Sequence, residues 1–355
     1  MSDGATPGRG GLTRTHKRVL GGGASLAIVV AVFVFFLPRI ADYRDVLDVL
    51  RGLEWQDWLL LAGAVVVNLA TFAPPWMAAL PGLGFRQALA MTQASTALSI
   101  VSPAGAAVGM AGSFSMLRSW GFDRGSVTLA VAVAGVWNQL VSLAFPVIAL
   151  ALLTATGEGH PGLTTAAVIG GAVLATVIAG FALGLWREHW ARRFGDLAAR
   201  YVSRALRLVR KGPVRWSGEG FVAFRTQALD LLRRRWHVIT IATLAGHLTV
   251  FVLLVVCLRT VGVTGSEISF VEAFAAWALV RILGALPLTP GGVGVVEIGL
   301  TGALVAFGAP NAEAVTATLL YRALTVLPTL ALGLVAAATW RSHNPRESIE
   351  SRGGL

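Results

Sequence analysis

Residues 286–297 read LPLTPGGVGVVE and lie within a long, largely apolar stretch, 271–307. Proline and glycine interrupt a helix, and in lipid each unpaired backbone group costs on the order of several kcal/mol. Such a break is tolerated only where protein or a water-filled cavity covers it. A carboxylate beside the break, here Glu297, is by default a functional candidate. We therefore predict a re-entrant hairpin over 271–307 that lines a polar cavity near the middle of the bilayer.

The composition is that of an integral membrane protein. Hydrophobic residues make up 55% of the 355 residues, and apolar runs of spanning length recur along the chain. The formal net charge of +11 comes almost wholly from arginine, since Lys17 and Lys211 are the only lysines. This is the usual positive-inside bias, so we expect no nucleic-acid binding. Cys257, the only cysteine, excludes an intrachain disulfide and a cysteine-based metal site.

The pattern of apolar runs predicts an all-α protein with six full spans and two shorter hairpins. The spans are predicted at 20–37, 58–80, 127–153, 164–186, 238–258 and 314–340, and the hairpins at 87–117 and 271–307. Each hairpin limb is short for the roughly 20 residues that cross a bilayer. The hairpins are therefore predicted to enter and leave on one side. Pro74 and Pro75 are expected to kink the second span.

Charge sets the expected orientation. Residues 187–236 hold twelve arginines and one lysine against four acids, which predicts a cytoplasmic segment. The basic N-terminus and the tail should lie on the same side, so we predict a multi-pass protein of the cell membrane with both termini in the cytoplasm. In this segment an apolar stripe runs beside basic residues at helical spacing, which is typical of a helix on an anionic leaflet. The basic stripe includes Arg193, Arg200, Arg204 and Arg207.

The order of the elements repeats along the chain. Residues 20–153 read span, span, hairpin, span, and residues 164–340 read the same from the opposite face. The tips also correspond: Ser102-Pro103-Ala104-Gly105 and Thr289-Pro290-Gly291-Gly292. Interrupted segments at equivalent places in two halves point to a transport site between inverted repeats, and the alternative is two unrelated hairpins that serve packing. The divisions of the chain are an N-terminal half, a second half and a tail: 1–160, 161–340 and 341–355.

Three charged residues are predicted close to the second tip. Arg281 and Glu297 flank it from opposite limbs, and Arg322 lies in the last span. A charge at the bilayer centre costs at least about 2.5 kcal/mol, so these residues need partners or water. They could form a structural ion pair that pins the hairpin. Alternatively, the arginines could bind an anionic headgroup through paired hydrogen bonds while Glu297 orients them or takes a proton.

Further polar groups complete the predicted substrate site. Helices that restart after each tip, at Ala106 and Val293, would direct N–H groups and a partial positive charge towards the cavity. Asn138 and Gln139 could line the cavity or bond neighbouring helices, and His247 is predicted to be structural. The predicted substrate-binding residues are Arg281, Thr289, Pro290, Gly291, Gly292, Glu297, Arg322, Ser102, Pro103, Gly105, Asn138 and Gln139.

The sequence carries no catalytic or cofactor signature. Neither lysine follows the glycine spacing of a P-loop, and there is no G-x-S-x-G, no H-E-x-x-H and no Cys/His cluster. We therefore predict no cofactor, no metal site and no catalytic residue. Asp42, Asp45 and Asp48 fall on one helical side of a predicted outer loop, where an extracytoplasmic glycosyltransferase could use them, but a solvated surface explains them more simply.

Several of these residues resemble a known family. The run 286–297, with Tyr321-Arg322-Ala323 in the last span, is similar to the signature of the lysylphosphatidylglycerol synthase transmembrane (flippase-like) family. The runs 102–122 and 135–139 resemble an actinobacterial-type branch of that family. Many members carry an acid soon after the first hairpin's glycine, where this chain has Ala106, Ala107 and Val108. A symmetric mechanism with two carboxylates is therefore not implied.

The resemblance implies translocation of lipids, or of lipid-linked sugars, between leaflets. Only fifteen residues follow Trp340, so we do not expect the soluble aminoacyl-transfer domain that the synthases add. We predict a flippase-like transporter of an anionic phospholipid or a polyprenyl-phosphate-linked glycolipid, and not an enzyme. The protein partners considered are envelope-biosynthesis enzymes and a second copy of the chain. The alternatives are a polyprenyl-phosphate-dependent glycosyltransferase and a non-transporting scaffold of an envelope-synthesis complex.

Overall fold

The computed structural model describes residues 43–102, 105–156, 161–186, 218–285 and 289–339, and in these ranges all regular secondary structure is helical. The helices are α1 (Tyr43–Arg51), α2 (Trp55–Thr71), α3 (Pro74–Ala79), α4 (Phe85–Val101), α5 (Gly105–Ser119), α6 (Arg124–Ala155), α7 (Pro161–Trp186), α8 (Gly218–Thr260), α9 (Phe270–Ala285), α10 (Val295–Ala306) and α11 (Asn311–Thr339). A 3-10 turn, Pro290–Gly292, lies between α9 and α10.

Five stretches of the described chain are long and apolar enough to cross a membrane. They are Trp55–Ala79, Arg124–Ala155, Thr164–Leu183, Phe224–Thr260 and Asn311–Thr339. These stretches coincide with the last five predicted full spans, so the chain is a multi-pass membrane protein, and the regular structure of its described part is all helical. The first predicted span, the residues Pro103 and Ala104, the basic stripe and the tail lie outside the described residues.

The second span is kinked where its prolines predict. Helix α2 ends at Thr71, and α3 begins at Pro74, in the first turn of a helix, where a missing N–H leaves no carbonyl unpaired. The span predicted at 238–258 begins earlier than expected, because residues 218–236 of the basic segment continue into it in the single 43-residue helix α8. Arginine is a good helix former, so the charged run before the span does not end the helix.

The first hairpin, α4 and α5, is held together by small residues. A Cβ placed on Gly109 of α5 would meet the Ser99 hydroxyl and lie 2.7 Å from the carbonyl oxygen of Ser95. On its other side α4 packs along α11, where a Cβ on Gly333 would lie 2.8 Å from the carbonyl oxygen of Gln93. Glycine at these two positions therefore lets three helix backbones approach closely.

Both hairpins end in the same turn. Helices α5 and α10 are each followed by a glycine with positive φ, Gly121 at 88° and Gly308 at 113°. In both turns the N–H of the next residue donates to a carbonyl five positions earlier, as in a Schellman cap: Phe122 to Leu117 and Ala309 to Leu304. The long helices α6 and α11 begin three residues after these glycines.

The largest hydrophobic cluster joins α6, α8, α9 and α11. Its centre is a group of aromatic rings whose centroids lie between 5.1 and 5.9 Å apart: Phe145, Phe251, Phe274 and Trp277. Phe251 and Trp277 are each 2% exposed. Such rings bury a large apolar area and pack with defined geometry. This packing fixes the position of α9 relative to α6 and α8, the helices that carry the candidate site.

Candidate functional site

Glycines shape the tip of the second hairpin. Gly291, Gly292 and Gly294 have φ values of 62°, 67° and 88°, a region that side chains with a Cβ rarely adopt. A Cβ on Gly291 would also lie 3.0 Å from Cγ2 of Ile100, in the last turn of α4. The tip of the second hairpin therefore contacts the end of the first limb of the first hairpin.

An ion pair holds this tip in place. Glu297 is 3% exposed, and its Oε1 accepts a hydrogen bond from Nε of Arg322 at 2.7 Å. Its Oε2 accepts from the backbone N–H of Gly294 at 2.6 Å. Nη2 of Arg322 donates to the carbonyl oxygen of Gly291 at 3.0 Å. Both carboxylate oxygens are thus occupied, and Arg322 ties α11 to the tip.

Helix α10 begins at Val295, two residues later than the predicted restart at Val293. The positive φ angles at the tip cannot continue a right-handed helix, so the first turn forms only beyond Gly294. The N–H of Gly294, at the positive end of the helix, is bound by Glu297. The chain's own carboxylate therefore fills the place at which we expected an anion.

A cavity of about 360 Å³ lies beside this ion pair, between α6, α9, α10 and α11. Its polar lining consists of Gln139, Ser142, Arg281, Tyr321 and Arg322. Two further lining residues, Leu143 of α6 and Ile282 of α9, are 44% and 48% exposed on the outer surface of the helices. The cavity therefore opens sideways between α6 and α9, beside exposed apolar side chains.

Arg281 reaches this cavity without a carboxylate partner. Its Nη2 donates to Nδ1 of His247 at 2.8 Å and lies 3.5 Å from Oγ of Ser142. The guanidinium carbon lies 4.8 Å from the centroid of the Trp277 ring, in a cation–π contact. Its Nε is buried and has no hydrogen-bond partner. Among the residues that the structure describes, no carboxylate lies within ion-pair distance of Arg281, so its charge is uncompensated.

His247 and Asn138 connect Arg281 to the other wall of the cavity. A guanidinium can only donate, so Nδ1 of His247 accepts and the ring is the neutral tautomer with its proton on Nε2. Nε2 then donates to Oδ1 of Asn138 at 3.1 Å, and Nδ2 of Asn138 lies 3.4 Å from Oε1 of Gln139. These bonds form a directed chain from Arg281 on α9 through α8 to Gln139 on α6.

The structure brings part of the predicted substrate-binding set to the cavity. Four of its members line the cavity: Gln139, Arg281, Gly291 and Arg322. Glu297 and Asn138 lie behind the lining, each bonded to a residue that faces it. In the tip, Gly292 is buried and the hydroxyl of Thr289 is buried without a partner. The side chain of Pro290 lies outside the described part of the structure.

The described residues of the first hairpin contribute nothing to the cavity lining. Ser102 and Gly105 lie at its tip, where a Cβ on Gly105 would collide with the carbonyl of Ser99. The hydroxyls of Thr92, Ser95 and Ser99 donate to carbonyls of their own helix and do not point to a ligand. These three hydroxyls are therefore satisfied within α4, whereas Oε1 of Gln93 in the same helix is buried without a hydrogen-bond partner.

The other nine of the thirteen lining residues were not predicted, although helical spacing carried a signal for two of them. Ser142 lies four residues after Asn138, and Trp277 lies four residues before Arg281. Residues four apart share one face of a helix, so a search of the neighbouring turns would have found both. Tyr321 simply precedes Arg322 in the chain, and no periodicity marked it.

The acids of the predicted outer loop form no visible site. Asp48 lies on the surface of α1 and pairs with Arg51 at 3.3 Å, with side chains 71% and 75% exposed. Asp42 and the side chain of Asp45 lie outside the described residues. Within the described ranges, no group of three His, Cys, Asp or Glu residues could hold a metal ion.

Comparison with known proteins assigns the chain to a family. No curated protein matches the sequence. The model of the family described as the lysylphosphatidylglycerol synthase TM region matches residues 24–333, which include both hairpins and every residue of the cavity. The chain therefore belongs to the family of lysylphosphatidylglycerol synthase transmembrane regions.

Proposed function

We propose that this protein moves an anionic membrane lipid between leaflets, with the headgroup bound to Arg281 in the cavity. The observation that carries the proposal is a guanidinium without a carboxylate partner, on the wall of a cavity within membrane-spanning helices. An uncompensated charge in this setting costs at least about 2.5 kcal/mol. A phosphate group would supply the missing negative charge and could accept two parallel hydrogen bonds from the guanidinium.

The sideways opening supports a lipid as the substrate in preference to a soluble anion. Leu143 and Ile282 at the opening are apolar and exposed, so acyl chains can remain beside them in the bilayer while the headgroup enters. The substrate class is an anionic phospholipid or a polyprenyl-phosphate-linked glycolipid. Both combine a phosphate with hydrocarbon chains, as this opening requires.

Limb length supports re-entrant hairpins. The limbs α4, α5, α9 and α10 have 17, 15, 16 and 12 residues. At a rise of about 1.5 Å per residue they extend roughly 18–26 Å, less than the hydrocarbon thickness of about 30 Å. We propose that both hairpins enter the membrane and return on the side from which they came, with their tips near the midplane.

The matching turns support an inverted repeat. The long helices α6 and α11 both begin 21 residues after the tip proline, Pro103 or Pro290, and both follow a glycine-ended Schellman cap. The second tip also touches the end of α4, through Gly291 and Ile100. We propose that the two halves rock about this contact, which would open the cavity to each leaflet in turn. The arginine-rich start of α8 supports a cytoplasmic location for that end, in the cell membrane.

A headgroup-transport assay tests the proposal. The full chain is reconstituted in liposomes that contain headgroup-labelled phosphatidylglycerol or labelled polyprenyl phosphate, and transfer between leaflets is followed for wild type, Arg281→Gln and Arg118→Gln. The control residue, Arg118, is exposed and donates to the carbonyl of Phe122 at the end of α5. A hydrogen bond to a charged group contributes about 1.5–3 kcal/mol, so Arg281→Gln should slow transfer roughly 10-fold or more. Transfer by wild type no faster than in empty liposomes, or unchanged in Arg281→Gln, would refute the proposal.

A further inference from the structure

We propose that His247 is a positioning and selectivity residue of the anion site. Its neutral ring would hold the Arg281 guanidinium towards the cavity without cancelling the charge of the guanidinium. The inference rests on the proposed function in one respect, that Arg281 binds the headgroup. It adds a residue to the site that does not line the cavity and assigns it a chemical role.

The geometry shows that His247 orients the guanidinium of Arg281. Arginine has a long side chain with considerable rotamer freedom, so a guanidinium that must meet a ligand needs an anchor. The strongest hydrogen bond that Arg281 makes to the protein is the 2.8 Å contact with Nδ1 of His247. The contact with Ser142 is longer, at 3.5 Å, and its Nε has no partner. The imidazole therefore sets the direction of the guanidinium.

The ring itself cannot turn away. His247 is 4% exposed and lies between Phe72 and Phe145, with ring centroids at 6.2 and 5.8 Å in edge contacts. Its Nε2 is tied to Asn138 on α6. Phe72 and two residues of α6 thus fix both the orientation and the tautomer of the ring, and the lone pair of Nδ1 points at Arg281 on α9.

The site keeps its positive charge because the group that accepts a hydrogen bond from Arg281, the His247 imidazole, is neutral. The second arginine of the cavity, Arg322, is paired with the carboxylate of Glu297 and is neutralised by it. Arg281 is held by an uncharged imidazole, so among the described lining residues it alone contributes an uncompensated charge. Both oxygens of Glu297 are already bonded, so no carboxylate is free to receive an ammonium group. The site should accordingly bind an anionic headgroup and reject an aminoacylated, cationic one.

Three substitutions at His247 separate this role from simple packing. In His247→Asn the amide oxygen lies near the place of Nδ1 and can still accept from Arg281, but the link to Asn138 is lost. In His247→Gln the longer amide reaches the place of Nε2, so it can keep the hydrogen bond to Asn138 but loses the hydrogen bond to Arg281. His247→Glu would hold Arg281 firmly and cancel its charge.

The readout is equilibrium binding of short-chain phosphatidylglycerol to the purified full chain in neutral detergent. Short-chain phosphatidylcholine and lysyl-phosphatidylglycerol serve as the zwitterionic and cationic headgroups, and thermal unfolding monitors the fold. We expect His247→Asn to bind phosphatidylglycerol within about 3-fold of wild type and His247→Gln to bind about 10-fold more weakly. His247→Glu should bind as weakly as Arg281→Gln, even though it unfolds no more readily than His247→Gln.

The possible results distinguish this inference from the proposed function. Equal affinities for the Asn and Gln variants, or a Glu variant that still prefers phosphatidylglycerol, would overturn the role of His247. A wild type that binds lysyl-phosphatidylglycerol as tightly as phosphatidylglycerol would overturn the selectivity. If the binding pattern appears as expected and liposomes show no transfer, the site stands and the transport proposal fails. If Arg281→Gln binds as wild type does, both fail.

Discussion

The two hairpins, α4–α5 and α9–α10, lead into the same glycine-ended turn, but different interactions stabilise their described residues. In the first hairpin glycine lets the backbones touch, and the hydroxyls of α4 donate to carbonyls of their own helix. In the second hairpin three glycines with positive φ are fixed by the buried pair of Glu297 and Arg322. A helix break in a membrane can thus be stabilised by close packing or by charge. Only the charged hairpin brings a cation to the cavity for a ligand to meet.

Equivalent positions show how complete this division is. Seven residues after the tip prolines stand Glu297 in the second hairpin and Met110 in the first. Nine residues before them stand Arg281 and Ala94. Both arginines that line the cavity therefore belong to the second half of the chain, while α6 of the first half adds the uncharged Gln139 and Ser142. A site with this division of charge does not need the symmetric pair of carboxylates that many family members suggest.

The largest difference in stability between variants of the two hairpins should follow from removal of the charge that fixes the second tip. Glu297→Gln preserves the shape of the side chain but leaves Arg322 without its counter-ion, and breaking a buried pair costs about 3–5 kcal/mol. The matched change in the first hairpin, Met110→Leu, should cost less than about 1.5 kcal/mol. Unfolding in detergent measures both. Equal losses would mean that the pair does not hold the tip.

A smaller effect should come from the packing of the first hairpin. Gly109→Ala would place a methyl group 2.7 Å from the carbonyl oxygen of Ser95, and such overpacking costs about 1–3 kcal/mol. Gly302 lies in the second limb of the other hairpin, where a Cβ would meet no atom within 4 Å. Gly302→Ala should therefore stabilise by up to about 1 kcal/mol through helix propensity. Effects of the same sign in both variants would contradict the contrast between a packed and a charged hairpin.

The smallest effect is expected at the start of the helix that follows each hairpin. Asp123 caps α6 by accepting from the N–H of Ser126, whereas Pro310 occupies the same place before α11. Hydrogen bonds from Ser126 lower the pKa of Asp123 below its ordinary value of 3.8. The stabilisation is therefore present above pH 4 and is lost as the pH falls through the lowered pKa. Asp123→Ala should cost about 1 kcal/mol at pH 7. A difference in the free energy of unfolding between Asp123→Ala and wild type that is equally large at pH 2 and pH 7 would contradict this.

Local signals in the sequence predicted the spans and the kink, and they also mark the matching turns that the structure shows. Apolar length marks the five crossing helices, Pro74 marks the kink, and Gly121 and Gly308 recur at equal distances from the tips. The partner of each charge could not be predicted in this way. By their places in the chain, either Arg281 or Arg322 could pair with Glu297. Only the folded path of the glycine tip shows that Arg322 reaches the carboxylate.

The role of His247 was hidden for the same reason. It lies 34 residues before Arg281 on a different helix, and its neighbours in the sequence are apolar or small. A lone histidine in an apolar helix is equally consistent with packing. Its contact with the guanidinium depends on how α6, α8 and α9 meet around the aromatic cluster, which no periodicity in the sequence expresses.

The central claim is that Arg281 holds an anionic headgroup in the cavity. Its most direct test is mass spectrometry of the lipid that stays bound to the full chain in mild detergent. Wild type and the control Arg118→Gln should retain an anionic lipid, and Arg281→Gln should lose it. Equal retention by wild type and Arg281→Gln, or a bound lipid without net negative charge, would contradict the account.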